Sequence, residues 1–142
     1  MPNADLENKL LAVIRVRGRV GVRRDITETM QRLNLRRVNN MVLVPGTKSN
    51  IGMIQKCNDF VTYGEIDSAY ASKLLEKKGV KANAADLDAV ASGKKKIAEV
   101  AQMPIRLHPP RHGYEGLKVS FSRKGALGYR GTKINGLITR MA

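Results

Sequence analysis

From Leu10 to Arg17 the chain reads Leu-Leu-Ala-Val-Ile-Arg-Val-Arg, so that Ala12, Ile14 and Val16 alternate with Val13, Arg15 and Arg17. A period of two is the mark of a half-buried β-strand. It constrains the rest of the chain, because a strand's backbone N–H and C=O groups need partners from other strands. Met41 to Val44, closed by Pro45-Gly46, reads as a second strand, and Phe60 to Ile66 as a third, with Val61 and Tyr63 on one side. Two helices fall between them. Asp25 stands as an N-cap with Glu28 three residues on, a capping-box arrangement. Ile26, Met30 and Leu33 follow at helical spacing, and Asn34 is placed to end the helix in a left-handed turn. Thr47 or Ser49 caps the next helix, whose apolar face is Ile51, Ile54 and Cys57. Gly52 inside it costs about 1 kcal/mol against Ala, which predicts a close backbone approach there.

The order strand, helix, strand, helix, strand buries one sheet face under its helices and can leave the other open. Arg15 and Arg17 share a face in this reading, and Arg19 continues the comb if the strand extends. Gly18 and Gly21 then open a basic loop through Arg23 and Arg24, and Arg36 and Arg37 follow the first helix.

The middle of the chain is helical in pattern. Ser68 to Lys78 turns Tyr70, Leu74 and Leu75 inward and stops at Gly79; Ala84 to Ser92 is Ala-rich; Lys94 to Ala101 forms another helix, ended by Pro104. From Ile105 the character changes again, with six of the thirteen glycines and a single acid, Glu115. His108-Pro109-Pro110-Arg111-His112-Gly113 cannot be helix or central strand, because two prolines remove donors and fix the backbone. Leu117 to Phe121 is a short strand, and Gly125 to Gly131 an irregular glycine loop. Thr132 caps a closing helix in which Ile134, Leu137, Ile138 and Met141 form a stripe that must dock on the body. The expected organisation is an α+β core over residues 1–66 (1–8 a frayed leader), a helical insert over 67–104, and a basic, Gly/Pro-rich extension over 105–142.

The net charge of +14 is unevenly spread. Residues 1–58 carry 11 Lys/Arg against 4 Asp/Glu, residues 59–104 carry 7 against 7, and residues 105–142 carry 8 against 1. A surplus clustered in two blocks points to a polyanionic partner: RNA, DNA or an anionic membrane. The basic stretches lack the matching apolar face of an interfacial helix, which ranks the membrane last. The start, Met1 to Asp5, lacks the regions of a signal peptide, and the run from Leu10 to Ile14 is too short to span a bilayer, so a cytoplasmic protein is expected. The single cysteine, Cys57, excludes an internal disulfide and reads as a buried, inert thiol.

Gly125, Gly128 and Gly131 invite a nucleotide-loop reading, but their spacing and context do not match a dinucleotide fingerprint or a P-loop. The favoured reading is a loop whose amides and Arg130 meet phosphates while Tyr129 stacks on a base or sugar. Its rival is an ordinary connector with Tyr129 tucked into the body. His108 and His112 are four apart, yet the intervening prolines forbid the helix that would pair them on zinc, and they fit better on a stiff RNA-contacting loop. Lys94, Lys95 and Lys96 read mainly as a solvated helix start. No cofactor, metal or small-molecule substrate is called for, and catalysis has no visible home. A free nucleic-acid-binding regulator and a small RNA-acting enzyme are the alternatives; the enzyme would need a titratable cluster beside the basic face.

Residues 11–18 (Leu-Ala-Val-Ile-Arg-Val-Arg-Gly), the segments Asn40 to Pro45, Ile51 to Lys56 and Phe60 to Ile66, and the tail motifs Arg106 to Arg111 and Gly125 to Gly131 together resemble the L-thirty family of large-subunit ribosomal proteins. The tail is similar to the extension of its archaeal and eukaryotic members, which the shorter bacterial ones lack. The resemblance implies a βαβαβ fold with a three-stranded antiparallel sheet, ferredoxin-like in its half, and a structural place on large-subunit rRNA among neighbouring ribosomal proteins. It also implies proximity to 5S rRNA. The residues it implies as contacts are Arg15, Arg17, Arg23, Arg24, Lys48, Lys56, His108, Arg111 and Arg130. The charge map and the two tail loops add Arg19, Arg36, Arg37, His112, Arg123, Lys124 and Tyr129. Bacterial members often carry Pro where this chain has Lys48, which leaves the start of the second helix open.

Overall fold

A computed structural model describes residues 9–18, 20–77, 84–92, 105–111, 113–114 and 116–141. The leader at 1–8, Arg19, Gly79, the Lys94 to Lys96 run with the helix read over 94–101, Pro104 and His112 lie outside the described residues.

The first five elements run in the expected order: β1 (Leu10–Arg15), α1 (Arg24–Arg32), β2 (Asn40–Pro45), α2 (Lys48–Lys56) and β3 (Val61–Glu65). β1 lies between β2 and β3 and is antiparallel to both, with Ile14 opposite Met41 and Arg15 opposite Val61. The expectation of a three-stranded sheet is corrected here. The extension contributes β4 (Ile105–Arg106), β5 (Gly116–Ser120) and β6 (Gly125–Tyr129), making a mixed six-stranded sheet in the order β4-β2-β1-β3-β6-β5. β4 pairs antiparallel with β2, while β6 runs parallel to β3 and to β5. The class remains α+β.

Both sheet faces are covered. Leu11, Val13, Val42 and Tyr63 pack under α1 and α2, against Met30, Leu33, Ile51 and Ile54. On the other face Ala12, Ile14, Met41 and Leu43 pack under α3 (Ser68–Lys77), α4 (Ala84–Ala91) and α5 (Ile134–Met141). β1 is therefore buried along its whole length. Its near-continuous apolar run from Leu10 to Ile14 is the pattern of a strand closed on both sides, not of one with a wet face.

Local chemistry explains the helix ends. α1 starts one residue earlier than its supposed cap, so Asp25 sits in the first turn, Arg23 is the N-cap without a side-chain bond, and Glu28 pairs with Arg24 instead of closing a capping box. At the other end Asn34 is left-handed (φ 62°), with Asn34 N donating to Gln31 O and Leu35 N to Met30 O, a full Schellman motif. Thr47 is the cap of α2, its hydroxyl accepting from Asn50 N at 3.2 Å. Gly52 faces open space, so the close approach predicted there does not exist. The real close approach is at Gly64, where a Cβ would strike the Gly131 carbonyl and the Ile134 side chain. That contact seats the start of α5 on β3. Gly131–Lys133 forms a 3-10 turn ahead of α5, so Thr132 lies inside this turn and not at a helix cap.

Candidate nucleic-acid interface

The strand registers define two ends of the sheet. At one end Arg15 faces Val61, Asn40 faces Arg106, and Asn39 N donates to Arg15 O at 2.8 Å. Arg17 lies just past β1 here, Arg36 and Arg37 just before β2, Lys56 before β3, and Arg106 on β4. Because Thr62 faces Gly128 in a parallel pair, the start of β6 projects past the same end, with Arg123 and Lys124 immediately ahead of it. Arg36, Arg37, Lys56, Arg106, Arg123 and Lys124 are exposed. Arg17 is half-buried, its guanidinium 4.9 Å from the Phe60 ring centroid and donating to Asp59 O.

The Pro-Pro loop joins this end by backbone contacts. Leu107 N donates to Asn39 O, His108 N to Met141 O and Arg111 N to Arg140 O, while Arg140 Nη1 reaches Arg111 O and Gly113 O. The loop is thus clamped to the C-terminal end of α5, with the His108 and Arg111 side chains exposed. Tyr114 closes the clamp, donating to Asn39 Oδ1 at 2.6 Å, and burial pushes its phenol up to about 12 against the lowering pull of Arg130 and Arg140.

Two arginines, Arg15 expected on an open sheet face and Arg130 on a phosphate-meeting glycine loop, are inside. Arg15 is 2% exposed and donates to the carbonyls of Arg17, Leu35 and Gly18 at 2.9, 2.8 and 3.2 Å. It fastens the loop after β1 to the end of α1, because β1 has no open face to display it. Its inner edge reaches a cavity of about 300 Å³ shared with Thr27, Gln31 and Arg36. Arg130 is 6% exposed, donating to Thr62 Oγ1 and Ala126 O with its guanidinium 4.8 Å from the Phe121 centroid. The segment read as an irregular phosphate loop is β6, and Tyr129 is tucked in, its hydroxyl donating to Glu65 Oε1 at 2.9 Å. The hydroxyl is thus tied to the body as the rival reading has it, while the ring stays partly exposed.

The remaining expected residues divide. Arg23 and Arg24 are exposed but lean on Asp25 and Glu28 at 3.4 and 3.3 Å. Lys48 is exposed at the far end of α2 from Lys56, towards the opposite end of the sheet, where Lys9 pairs with Glu65. Arg19 and His112 are outside the described residues. Arg106, absent from the residues expected from the sequence, also stands at the Arg17 end of the sheet; its signal was the alternation Ile105, Arg106, Leu107, in which only the arginine is exposed.

Cys57 is buried, and desolvation raises its thiol to about 11, so it is no nucleophile at neutral pH. Among the described residues no group of three or more His, Cys, Asp or Glu could hold a metal ion, and no helix is long and apolar enough to cross a membrane.

Fold and charge together define a small, basic α+β protein with a cationic end built from both halves of its chain. Residues 11–61 match the family model described as Ribosomal protein L30p/L7e. The chain is 45% identical to the large ribosomal subunit protein uL30 of Methanococcus maripaludis, over 92% of this chain and 97% of that one. It is 41% identical to the uL30 protein of Nanoarchaeum equitans, over 92% and 97%, and 37% identical to that of Methanoregula boonei, over 93% and 99%. The chain belongs to the Ribosomal protein L30p/L7e family.

Proposed function

We propose that the chain is a structural, non-catalytic component of the large ribosomal subunit, held on its rRNA by the cationic end of the sheet, where it supports subunit assembly and cytoplasmic translation. One observation carries this reading: Arg17, Arg36, Arg37, Lys56, Arg106, Arg111 and Lys124 come from segments far apart in sequence and converge on one end of the sheet. Family membership and the names of the relatives support it.

The physics is phosphate neutralisation. Each cation that meets a phosphate releases condensed counterions, a drive that needs no base sequence. Arg suits the task because its planar fork bonds phosphate oxygens in pairs. The clamped His108–Arg111 loop adds contacts at little entropic cost, since its backbone is already ordered. Under this reading Arg123 acts with Lys124 at the cationic end, Arg23 and Arg24 contribute at the margin, and Lys48 meets a different stretch of RNA. Arg15 and Arg130 brace the frame, and 5S rRNA and neighbouring ribosomal proteins are further partners.

The test is the salt dependence of binding to large-subunit rRNA. Changing Arg17, Arg36 and Arg37 together to Gln should flatten the log–log slope by about 0.7–0.9 for every phosphate that is no longer neutralised. An unchanged slope in a folded variant overturns the assignment. Release of the wild-type chain from large subunits at modest salt would favour the free RNA-binding alternative.

A further inference from the structure

We infer that a pocket beside the C-terminal end of α2 receives a single unpaired nucleotide base. This rests on the RNA-binding reading above and adds what phosphate contacts lack, a place where a base is read. The pocket is a cavity of about 460 Å³ between α2 and the β5–β6 edge, within the roughly 300–1,000 Å³ of small-ligand sites. Its lining includes Tyr63, Leu127, Gly128, Tyr129, Phe121 and Asn58.

Three features select a base. The first is aromatic surface. Tyr129 and Phe121 are partly exposed on its lining; the buried Tyr63 backs Tyr129 at 5.5 Å between ring centroids, and Phe121 is held by Arg130 and Lys133 at 4.8 and 5.6 Å. Splayed-out bases are commonly bound against such surfaces. The second is the Asn58 amide, which offers both donors and an acceptor, the combination that reads a base edge. Gly128 makes room for it: φ is +85°, and a Cβ would lie 3.3 Å from Asn58 Oδ1. The third is charge. Exposed Lys56, Arg123 and Lys124 flank residues of the pocket in the chain, and no carboxylate is among the described lining residues. A phosphodiester on either side of the base would meet cations.

The base must be unpaired. In A-form RNA the major groove is too deep and narrow for side chains to read, so recognition falls on bulges and loops.

The experiment uses the full chain and synthetic hairpins of equal stem length. One is fully paired, and four carry a single-nucleotide bulge, one for each base. The wild-type protein should bind at least one bulged hairpin about ten-fold more tightly than the paired one, the scale of one stacked base. Asn58→Ala and the apolar, non-aromatic Phe121→Leu should each remove most of that preference and leave affinity for the paired hairpin unchanged, in chains that still unfold cooperatively. Failure to bind any hairpin would remove the RNA-binding reading itself. Equal wild-type binding to all five would leave that reading standing and overturn the base pocket. So would a preference that survives both variants, or an equal loss on paired and bulged RNA. Equal wild-type binding together with protection of the pocket in intact subunits would assign it to a protein side chain, which also overturns the inference.

Discussion

The two faces of the sheet are closed by chain of different kinds. One lies under α1 and α2, which are threaded between the strands they cover. The other lies under α3, α4 and α5, all of which follow the last core strand, and it also takes in Ile105 and Leu107. Helices between paired strands cover a face through short connections. A face covered from downstream depends on contacts that span up to about half the chain, such as Gly64 against Ile134. The lesson is that the insert and the extension are no ornaments on a finished core but together close one of its two faces.

The largest test of that equality is a matched pair. Met30 is 0% and Leu137 2% exposed, one on each face. Truncation of either to Ala should cost about 2–5 kcal/mol in urea unfolding. A cost below ~1 kcal/mol for Leu137→Ala alone would make the second face an appendage and break the comparison.

Next comes the rim between the faces. Arg15→Met should lose about 3 kcal/mol, because it strips a charged donor from the carbonyls of Arg17, Leu35 and Gly18. Arg17→Gln, two residues on and half-exposed, should stay within about 0.5 kcal/mol in stability while weakening RNA binding. Equal losses of stability would erase the distinction between bracing and contacting arginines.

The tyrosines sharpen the comparison by pH. Burial raises Tyr63 on the α1–α2 face and pushes Tyr114, which ties the extension to Asn39, from 10.0 to about 12. A phenol with a raised folded-state pKa favours folding fully below its unfolded value, and that contribution is lost as pH rises through the folded value. Stability should therefore fall between pH 10.0 and about 12. Tyr114→Phe should cost about 1 kcal/mol at neutral pH and reduce the alkaline loss, as followed by melting temperature. A variant with the wild-type alkaline profile would shift that role to Tyr63.

The smallest effect has the opposite sign. Gly52 is exposed within α2 and meets open space, so Gly52→Ala should stabilise by roughly 0.5–1 kcal/mol. A loss of stability would reveal a neighbour on that helix that the geometry does not contain.

What was legible in the sequence followed range. The order of elements from Leu10 to Glu65, the left-handed Asn34 and the stripe Ile134, Leu137, Ile138 and Met141 are written in local spacing, and each is found. β6 was hidden because glycine-rich Gly125–Tyr129 has no alternating pattern, and its pairing with β3 is made by residues more than sixty positions away. Arg15 was misplaced for a related reason. Period two says which side chains share a face but not whether that face is open. With both faces covered, the arginine at the end of the strand became an internal fastener. The cationic end was half legible: its charges could be counted, but only the registers of β4 and β6 bring Arg106, Arg123 and Lys124 beside Arg17 and Arg37.

The position of α5 also sets a timetable for synthesis. Ala12, Ile14, Met41 and Leu43 share their cover among three helices, and one of these, Ile134–Met141, is made about ninety residues after Leu43. At about 5–20 residues per second, this sheet face waits on the order of ten seconds for the third of its covering helices. During that interval the nascent chain presents a greasy half-built sheet with a basic edge, so its safest companion in those seconds is whatever shields the face until the final turns arrive.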